Sequence, residues 1–246
     1  MKIIRTCAAI LLALFLASCA SVPKITSEQK IAVVSYSLDK SIVKEGAQPF
    51  YPGKALIDLN KGEDPYRWHK EALAVCWTDF KAAAPGIFGP GRLVDFAAIE
   101  GNTAILSATY VEPKLIMGQD TSPQSVKVFP AGLNYANILL PKTIQSVSAI
   151  VPADLYLSVD LRAEYFMWTG LSIGSVGGGV GKVRLYATLS LVSSSGKVLR
   201  QYQASGVSKD TAAMLLDSLD SEAYPRLMAQ AQQDLFPRLA KEVAAW

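Results

Sequence analysis

The chain has 246 residues, three cysteines, one histidine and a formal net charge of +3, and 50% of its residues are hydrophobic. So small an excess of positive charge excludes the basic surface that nucleic acids require. The hydrophobic content and the length suffice for the core of one large domain.

The amino terminus has the three parts of a secretory signal. Lys2 and Arg5 form a short positive region, residues 8–17 are apolar, and small residues follow. The apolar run is shorter than the roughly 20 residues that cross a bilayer, so it is predicted to be removed rather than to span the membrane.

The end of this segment, Leu16-Ala17-Ser18-Cys19, resembles the lipobox of bacterial lipoproteins. The resemblance implies cleavage before Cys19, diacylglycerol on its sulfur and an acyl chain such as palmitate on its new amino group. Two or more lipid chains hold a protein stably at a membrane. Ala20 and Ser21 follow instead of aspartate, which in this class favours the outer membrane, and we expect the domain to face the periplasm. An ordinary signal peptide is the alternative.

Three segments are therefore predicted: a signal peptide at 1–18, a lipidated tether at 19–30 and a periplasmic domain at 31–246. Loss of Lys2 and Arg5 lowers the formal charge from +3 to +1. Because Cys7 leaves with the signal and Cys19 carries lipid, Cys76 has no partner for an intramolecular disulfide or a cysteine-based zinc site. The domain must be stabilised by its core.

The first half of the domain begins with an apolar run at 31–36 that predicts a buried strand. Prolines and glycines predict a long loop at 37–62, and a helix at 65–84 follows, begun by Asp64-Pro65 and ended by Pro85-Gly86. Two strands are expected at 92–99 and 103–111, with a short edge strand at 126–129. A second helix falls between 134 and 150, and Pro141 starts or kinks it.

Period-two alternation of apolar and polar residues predicts the second half. It marks antiparallel strands at 154–165 and 183–191, and a turn at 193–196 leads into a third strand at 197–204. The stretch between the first two, TGLSIGSVGGGVGK at 169–182, is predicted to be a long glycine-rich loop. A terminal helix starts near Ser221, and Pro237 leaves open whether it is one helix or two. The fold class is α+β, an α/β sandwich with helices packed on a mostly antiparallel or mixed sheet.

The order of these elements resembles the small α/β domains of periplasmic assembly lipoproteins. The residues that carry the resemblance are KIAVVSYS at 30–37, PADLYLSVDLRAEY at 152–165 and GKVRLYATLSLVSSSGKVLRQYQASG at 181–206. That group includes the curli-secretion lipoprotein and the penicillin-binding-protein activator lipoproteins, and the amino-terminal domain of TolB is similar in layout. The resemblance covers roughly residues 31–246 without a diagnostic motif, and it implies a role as partner or scaffold with no catalytic residue.

Two motifs in the glycine-rich stretch point to chemistry but lack its context. GLSIG fits the G-x-S-x-G form of a serine-hydrolase elbow at Ser172, which requires a following helix and, in α/β-hydrolases, a later histidine. His69 lies far upstream, and a strand follows instead. The phosphate loop that ends in Lys182 fails on spacing, because Val176 and Val183 occupy positions of the motif. No nucleotide or other cofactor is predicted.

Other candidate groups have simpler interpretations. His69 alone cannot form a histidine-rich metal site and is expected to be an exposed helix residue. Cys76 lies on the apolar stripe of its helix, so we expect a buried side chain; a thiol nucleophile is the alternative. Asp154, Asp160 and Glu164 share one strand face with Arg162, which predicts a solvated surface rather than a glycosidase pair.

The residues Tyr165, Phe166, Met167 and Trp168 lead into the glycine-rich stretch, and alternation cannot bury all four on one face. Core, partner surface and membrane contact stay open for them. The sequence as a whole predicts a non-enzymatic binding or assembly factor of the cell envelope, with a protein partner. The alternatives are a hydrolase using Ser172 or Cys76, and an oligomeric outer-membrane secretion or pore component with the hairpin 165–182.

Overall fold

The structure is a computed structural model that describes residues 25–44, 49–50, 67–112, 115–116, 119–120, 125–129, 131–132, 135, 138–173, 176–215 and 218–246. This part of the chain forms a single α+β domain, which confirms the predicted class. Its helices are α1 (Arg67–Phe88), α2 (Thr103–Thr109), α3 (Pro141–Ile150) and α4 (Tyr224–Val243). Its strands are β1 (Ile31–Lys44), β2 (Pro49–Phe50), β3 (Leu115–Ile116), β4 (Gln119–Asp120), β5 (Ser125–Phe129), β6 (Leu155–Ile173), β7 (Val176–Val192), β8 (Val198–Val207), β9 (Ala212–Leu215) and β10 (Ser218–Leu219).

The main sheet is open and mixed. Its order is β10-β9-β7-β6-β1-β2, with β5 also beside β1 and β8 also beside β7. The pair β1 and β6 is parallel, whereas β6–β7 and β7–β8 form the predicted antiparallel meander. The predicted strands at 31–36, 126–129, 154–165, 183–191 and 197–204 are all confirmed.

One face of this sheet forms the core with α1 and α4. Alternate residues of β6 and β7, among them Leu157, Val159 and Leu189, are at most 2% exposed. The helix α4 faces them with a stripe of buried residues at four-residue spacing: Leu227, Ala231, Leu235 and Leu239. Burial of each large apolar side chain contributes about 1.5–3 kcal/mol, so this face holds the two layers together.

The strands predicted at 92–99 and 103–111 are wrong. Residues 92–99 make a single bridge at Leu93 and a 3-10 turn at Phe96–Ala98, and the second segment is helix α2. The side-chain oxygen of Asn102 accepts hydrogen bonds from the backbone N–H groups of Ala104 and Ile105, at 3.0 and 3.3 Å. This cap satisfies free donors of the first turn, and it outweighs the strand preference of the β-branched residues that follow.

Helix ends also differ from the prediction. The start at Asp64-Pro65 lies outside the described residues, and α1 continues through Pro85 to Phe88. Ile87 and Phe88 are buried, which stabilises the last turn, and Gly89 follows with φ +97° as the closing residue. The helix α3 starts at Pro141 rather than near 134, and α4 is one helix that contains Pro237. Asp220 rather than Ser221 supplies the cap before α4.

The loop predicted at 37–62 is wrong in its first part, because β1 continues to Lys44 and β2 covers Pro49–Phe50. Between Leu38 and Ile42 the pairing of β1 with β6 shifts register, so residues 39–41 form a bulge. Residues 51–62 lie outside the described part of the chain.

The glycine-rich stretch is not a long loop. The ladder between β6 and β7 continues through it to the pair Ile173 and Val176. The register shifts between Met167 and Thr169, and the two strands approach closely there: a Cβ on Gly179 would lie 2.3 Å from the carbonyl oxygen of Thr169. At this position, glycine is required because the two strands approach closely, not because a loop needs a flexible backbone.

Candidate functional site

A row of polar side chains crosses the sheet on the face opposite α4. Consecutive register partners link residues from five strands: Lys127 (β5), Ser37 (β1), Asp160 (β6), Thr188 (β7) and Gln203 (β8). A cleft of about 690 Å³ lies over this face, and its lining includes all of them except Lys127. Sequence alternation predicted the polar face, but only the pairing brings these five residues into one row.

The carboxylate of Asp160 is held at the floor of the cleft by two buried serines. The Ser37 hydroxyl donates to one oxygen at 2.6 Å, and the Ser158 hydroxyl donates to the other at 3.0 Å. These bonds fix the carboxylate as a hydrogen-bond acceptor.

Lys127 lies in the same row, on the other side of Ser37 from Asp160, and is buried. Its ammonium group donates to the carbonyl oxygen of Tyr135 at 3.1 Å. Burial lowers the pKa of Lys127, and the negative charge of Asp160 opposes that effect. The row therefore combines a fixed anion on the cleft floor with a partly desolvated cation just outside the cleft lining.

The next row of the cleft contains an ion pair and a ring stack. The Tyr186 hydroxyl donates to Glu164 at 2.8 Å, and the Arg162 guanidinium lies 4.8 Å from the centre of the Tyr186 ring. Arg162 also contacts Glu164 at 3.2 Å. The Glu164 carboxylate also lies 3.9 Å from the Arg184 guanidinium. Asp154 instead accepts from the backbone N–H of Lys30 at the end of the sheet.

Asp39 also lines the cleft, and sequence reasoning missed it. It lies in the bulge of β1, within the segment expected to be a loop. Its carboxylate accepts hydrogen bonds from the backbone N–H and the hydroxyl of Ser41, at 2.8 and 2.7 Å. The sequence signal that could have located this turn is the two-residue spacing of Asp39 and Ser41, which is typical of an Asx turn.

The expectation that His69 is exposed is wrong, because its side chain is 1% exposed. It lies in the first turn of α1 with its ring centre 6.0 Å from that of Tyr224. Burial lowers its pKa to about 4, and the negative charge of Asp39 opposes this effect. The prediction failed because His69 packs against α4, a contact between segments distant in sequence.

Cys76 is buried, as predicted, and lies on the helix side of the sheet. Burial raises the pKa of its thiol, and the negative charge of Asp79 adds to the effect. Neither His69 nor Cys76 is among the residues that line the cleft.

The aromatic segment before the glycines divides between core and surface. Tyr165 is buried in the core, and Met167 is partly buried and packs against the core. Phe166 is 9% exposed, with the Arg184 guanidinium 4.8 Å from its ring centre. Trp168 is 57% exposed, and the ammonium of Lys182 lies 4.3 Å from its ring centre. Trp168 is therefore the member of this segment that is available for outside contact.

Two predicted positions are outside what the structure describes: Cys19, and the side chain of Ser172, whose backbone belongs to β6. Within the described ranges, no three His, Cys, Asp or Glu side chains are grouped closely enough to hold a metal ion. The helices of the same residues are all too short or too polar to cross a membrane.

No protein-family model matches the sequence, and no curated protein matches it. Among solved structures, the chain aligns with one described as a neuraminyllactose-binding hemagglutinin homolog from Helicobacter pylori. The alignment has 11% identity and a TM-score of 0.38, and it covers 89% of this chain and 86% of that chain. A TM-score of this size supports no inference about function.

Proposed function

We propose that the protein is a lipid-anchored, non-enzymatic binding factor of the bacterial cell envelope, held at the outer membrane through Cys19, and that a protein partner binds in the polar cleft. The row of side chains from Lys127 to Gln203 carries this proposal. The cleft over this row has a volume of about 690 Å³, and its donors and acceptors are fixed on a rigid sheet. This is the arrangement expected of a recognition surface.

The position of the tether is consistent with an accessible cleft. Residues 25–30 lie at the end of the sheet where β1 and β6 begin, since the backbone N–H of Ile31 donates to Arg92 and that of Lys30 to Asp154. The six residues from Cys19 to Lys24 extend at most about 20 Å. An anchor on Cys19 would thus bring this end of the domain towards the membrane and leave the sheet face free.

The same structure argues against the hydrolase alternatives. Cys76 is buried with a raised thiol pKa, which opposes formation of a thiolate. At Ser172 the chain continues in a strand and returns as β7, whereas a nucleophile elbow leads into a helix. For the pore alternative, Tyr165 and Phe166 pack within the domain, so the hairpin 165–182 has fewer apolar side chains to offer a membrane than its sequence suggests.

Photo-crosslinking in intact cells tests the cleft. A photoreactive residue in place of Thr188 on the cleft is expected to give one discrete protein adduct, and the matched residue in place of the exposed Ala74 on α1 is expected to give none. Equal labelling from both positions, or none from Thr188, would contradict the proposal. Separately, Cys19→Ala is expected to move the protein from the membrane to the soluble fraction; unchanged partitioning would refute the anchor.

A further inference from the structure

We propose that the partner segment is an extended acidic peptide that binds as an added strand along β8. This inference rests on the proposed function, because β8 forms one wall of the cleft through Gln203, Ala204 and Ser205. Among the described residues, β8 pairs with β7 on one side only. Within this part of the chain, its other side is an edge of the sheet.

Hydrogen bonds on both sides of β8 show which backbone groups face that edge. The N–H of Ser208, just beyond the strand, donates to Val183 of β7 at 2.8 Å, so even-numbered residues face β7. The N–H of Val207 donates instead to the Asp234 carboxylate, and the carbonyl oxygen of Ser205 accepts from Arg238. In an antiparallel ladder the N–H and C=O of one residue point the same way, so odd-numbered residues face the edge.

Helix α4 covers only part of this edge. Asp234 and Arg238 occupy the outward groups at Val207 and Ser205. The pairing of β7 and β8 is regular from Val207 back to Arg200, so the outward direction extends to Gln203 and Gln201. Each of these two residues presents one N–H and one C=O to the edge. These four backbone groups can form hydrogen bonds with one extended peptide of about three to five residues.

The geometry also places the peptide's side chains. Gln201 donates from its side chain to the Ser190 hydroxyl at 3.2 Å, and Gln203 lines the cleft, so odd-numbered side chains of β8 lie on the cleft face. Alternate side chains of an added strand lie on the same face. They would extend over the outer wall of the cleft, next to Gln201 and Gln203.

Charge favours an acidic peptide over a second copy of the chain. Lys197 and Arg200 lie at the amino-terminal end of the open part of the edge, and residues 197–205 include no acidic residue. At the other end, the Asp234 carboxylate is paired with Arg238 at 3.0 Å. A second β8 would bring the same two cations without an unpaired carboxylate. A peptide with glutamate or aspartate at alternate positions complements the edge.

Binding of a defined probe to the full chain tests this inference. The probe is an end-blocked seven-residue peptide of alternating glutamate and valine, and the matched probe carries N-methyl groups on alternate backbone amides. We expect measurable binding of the first by fluorescence anisotropy, with changed amide exchange at Gln201 and Gln203, and at least tenfold weaker binding of the second. Absence of binding by the first, or equal binding of both, would overturn the inference.

A matched pair of variants locates the binding. Gln203→Pro removes an outward N–H that the ladder to β7 does not use, so we expect the variant to fold, whereas Gln203→Ala keeps that N–H. Both variants lose the glutamine side chain, so proline is expected to weaken peptide binding at least tenfold more than alanine does, with thermal melting confirming that both fold. Equal affinities, or dimers formed through β8, would refute strand addition. Should proline unfold the chain, the N-methylated probe decides.

The outcomes also separate the two proposals. If Gln203→Pro retains the adduct from position Thr188, the cleft binds a partner and strand addition at β8 is wrong. If the peptide binds at β8 while Thr188 gives no adduct, the edge is a peptide site and the cleft proposal is wrong.

Discussion

The side-chain amide of Gln232 in α4 donates a 2.7 Å hydrogen bond to the carbonyl oxygen of Cys76 in α1. The other end of the same amide accepts from the buried Tyr36 hydroxyl of β1. One side chain that is 2% exposed therefore joins both helices to the sheet. Because Gln232, Tyr36 and Cys76 are all buried, loss of either bond leaves a polar group unpaired in the core, so we expect this contact to be sensitive to substitution.

Replacing Gln232 with methionine is expected to lower the free energy of unfolding by about 1–3 kcal/mol, because the Tyr36 hydroxyl loses its acceptor inside the core. Urea unfolding measures the change. Gln233→Met, at the exposed neighbour, is the control and is expected to cost less than about 1 kcal/mol. Adding Tyr36→Phe to Gln232→Met is expected to cost less than the two single changes together; full additivity would contradict a direct bond.

The buried His69 predicts a dependence of stability on pH. Its pKa in the folded protein is about 4, against an ordinary value of 6.5. Above pH 6.5 neither state binds the proton, and stability is full. As the pH falls from 6.5 to 4 the unfolded chain binds a proton that the folded protein does not, and stability falls by roughly 3 kcal/mol.

Urea unfolding at several pH values checks this dependence. His69→Gln lacks the titrating ring, so its free energy of unfolding is expected to fall less steeply between pH 6.5 and 4. The difference between the two slopes isolates the histidine from carboxylates that titrate in the same range. Parallel slopes for the two proteins would show that His69 is not buried as the structure has it.

Gly206 allows α4 to approach β8. A Cβ at this position would lie 2.1 Å from the backbone oxygen of Ala231, which cannot move without shifting the helix. Gly206→Ala is therefore expected to lower the melting temperature and to cost about 1–3 kcal/mol. Gly178→Ala is a matched control in β7, where the nearest atom lies 3.8 Å away. Similar losses for both variants would contradict this packing.

The division of the aromatic segment predicts unequal effects of two alanine substitutions. Tyr165→Ala removes a buried core ring and is expected to cost about 3–5 kcal/mol. Trp168→Ala removes an exposed ring and its contact with Lys182, with an expected cost below about 1 kcal/mol. Chemical unfolding of both variants tests the assignment, and a large loss at Trp168 would show that this ring is part of the core.

Because Cys76 is buried, we expect it to resist a thiol reagent such as iodoacetamide in the folded protein. It is expected to react fully in about 6 M guanidinium chloride, a concentration that unfolds most domains. Mass spectrometry of the Cys76 peptide measures the labelled fraction. Rapid labelling of the folded protein would show that the Cys76 thiol is accessible, and it would support a hydrolase that uses this thiol.

Sequence patterns predicted the parts of the fold that depend on local periodicity. The alternation at 154–165 and 183–191 identified two central strands, and the apolar stripe around Cys76 identified a buried helix face. Two of the errors came where a local preference was outweighed, once by a helix cap and once by burial. Asn102 turned a β-branched segment into helix α2, and buried Phe88 stabilised a helix past Pro85.

For the candidate site, the sequence could predict some of the polar surface residues but not which of them become neighbours. Polar alternation marked Asp160 and Arg162 as surface residues, but Asp39 and Lys127 fell in segments that have no such pattern. Which polar residues become neighbours depends on the order and register of five strands, and those are set by contacts between distant segments.

The sequence by itself predicts a secretory signal with a lipobox-like end, and it determined the half-buried strands and the amphipathic terminal helix, because each of these patterns is encoded in neighbouring residues. Tertiary structure alone decided that His69 is buried against Tyr224, that the glycines near Thr169 lie within a β-ladder, and that Lys127, Ser37, Asp160, Thr188 and Gln203 share one row. The physical reason is that burial and strand register follow from packing between segments far apart in the chain, which no local pattern records.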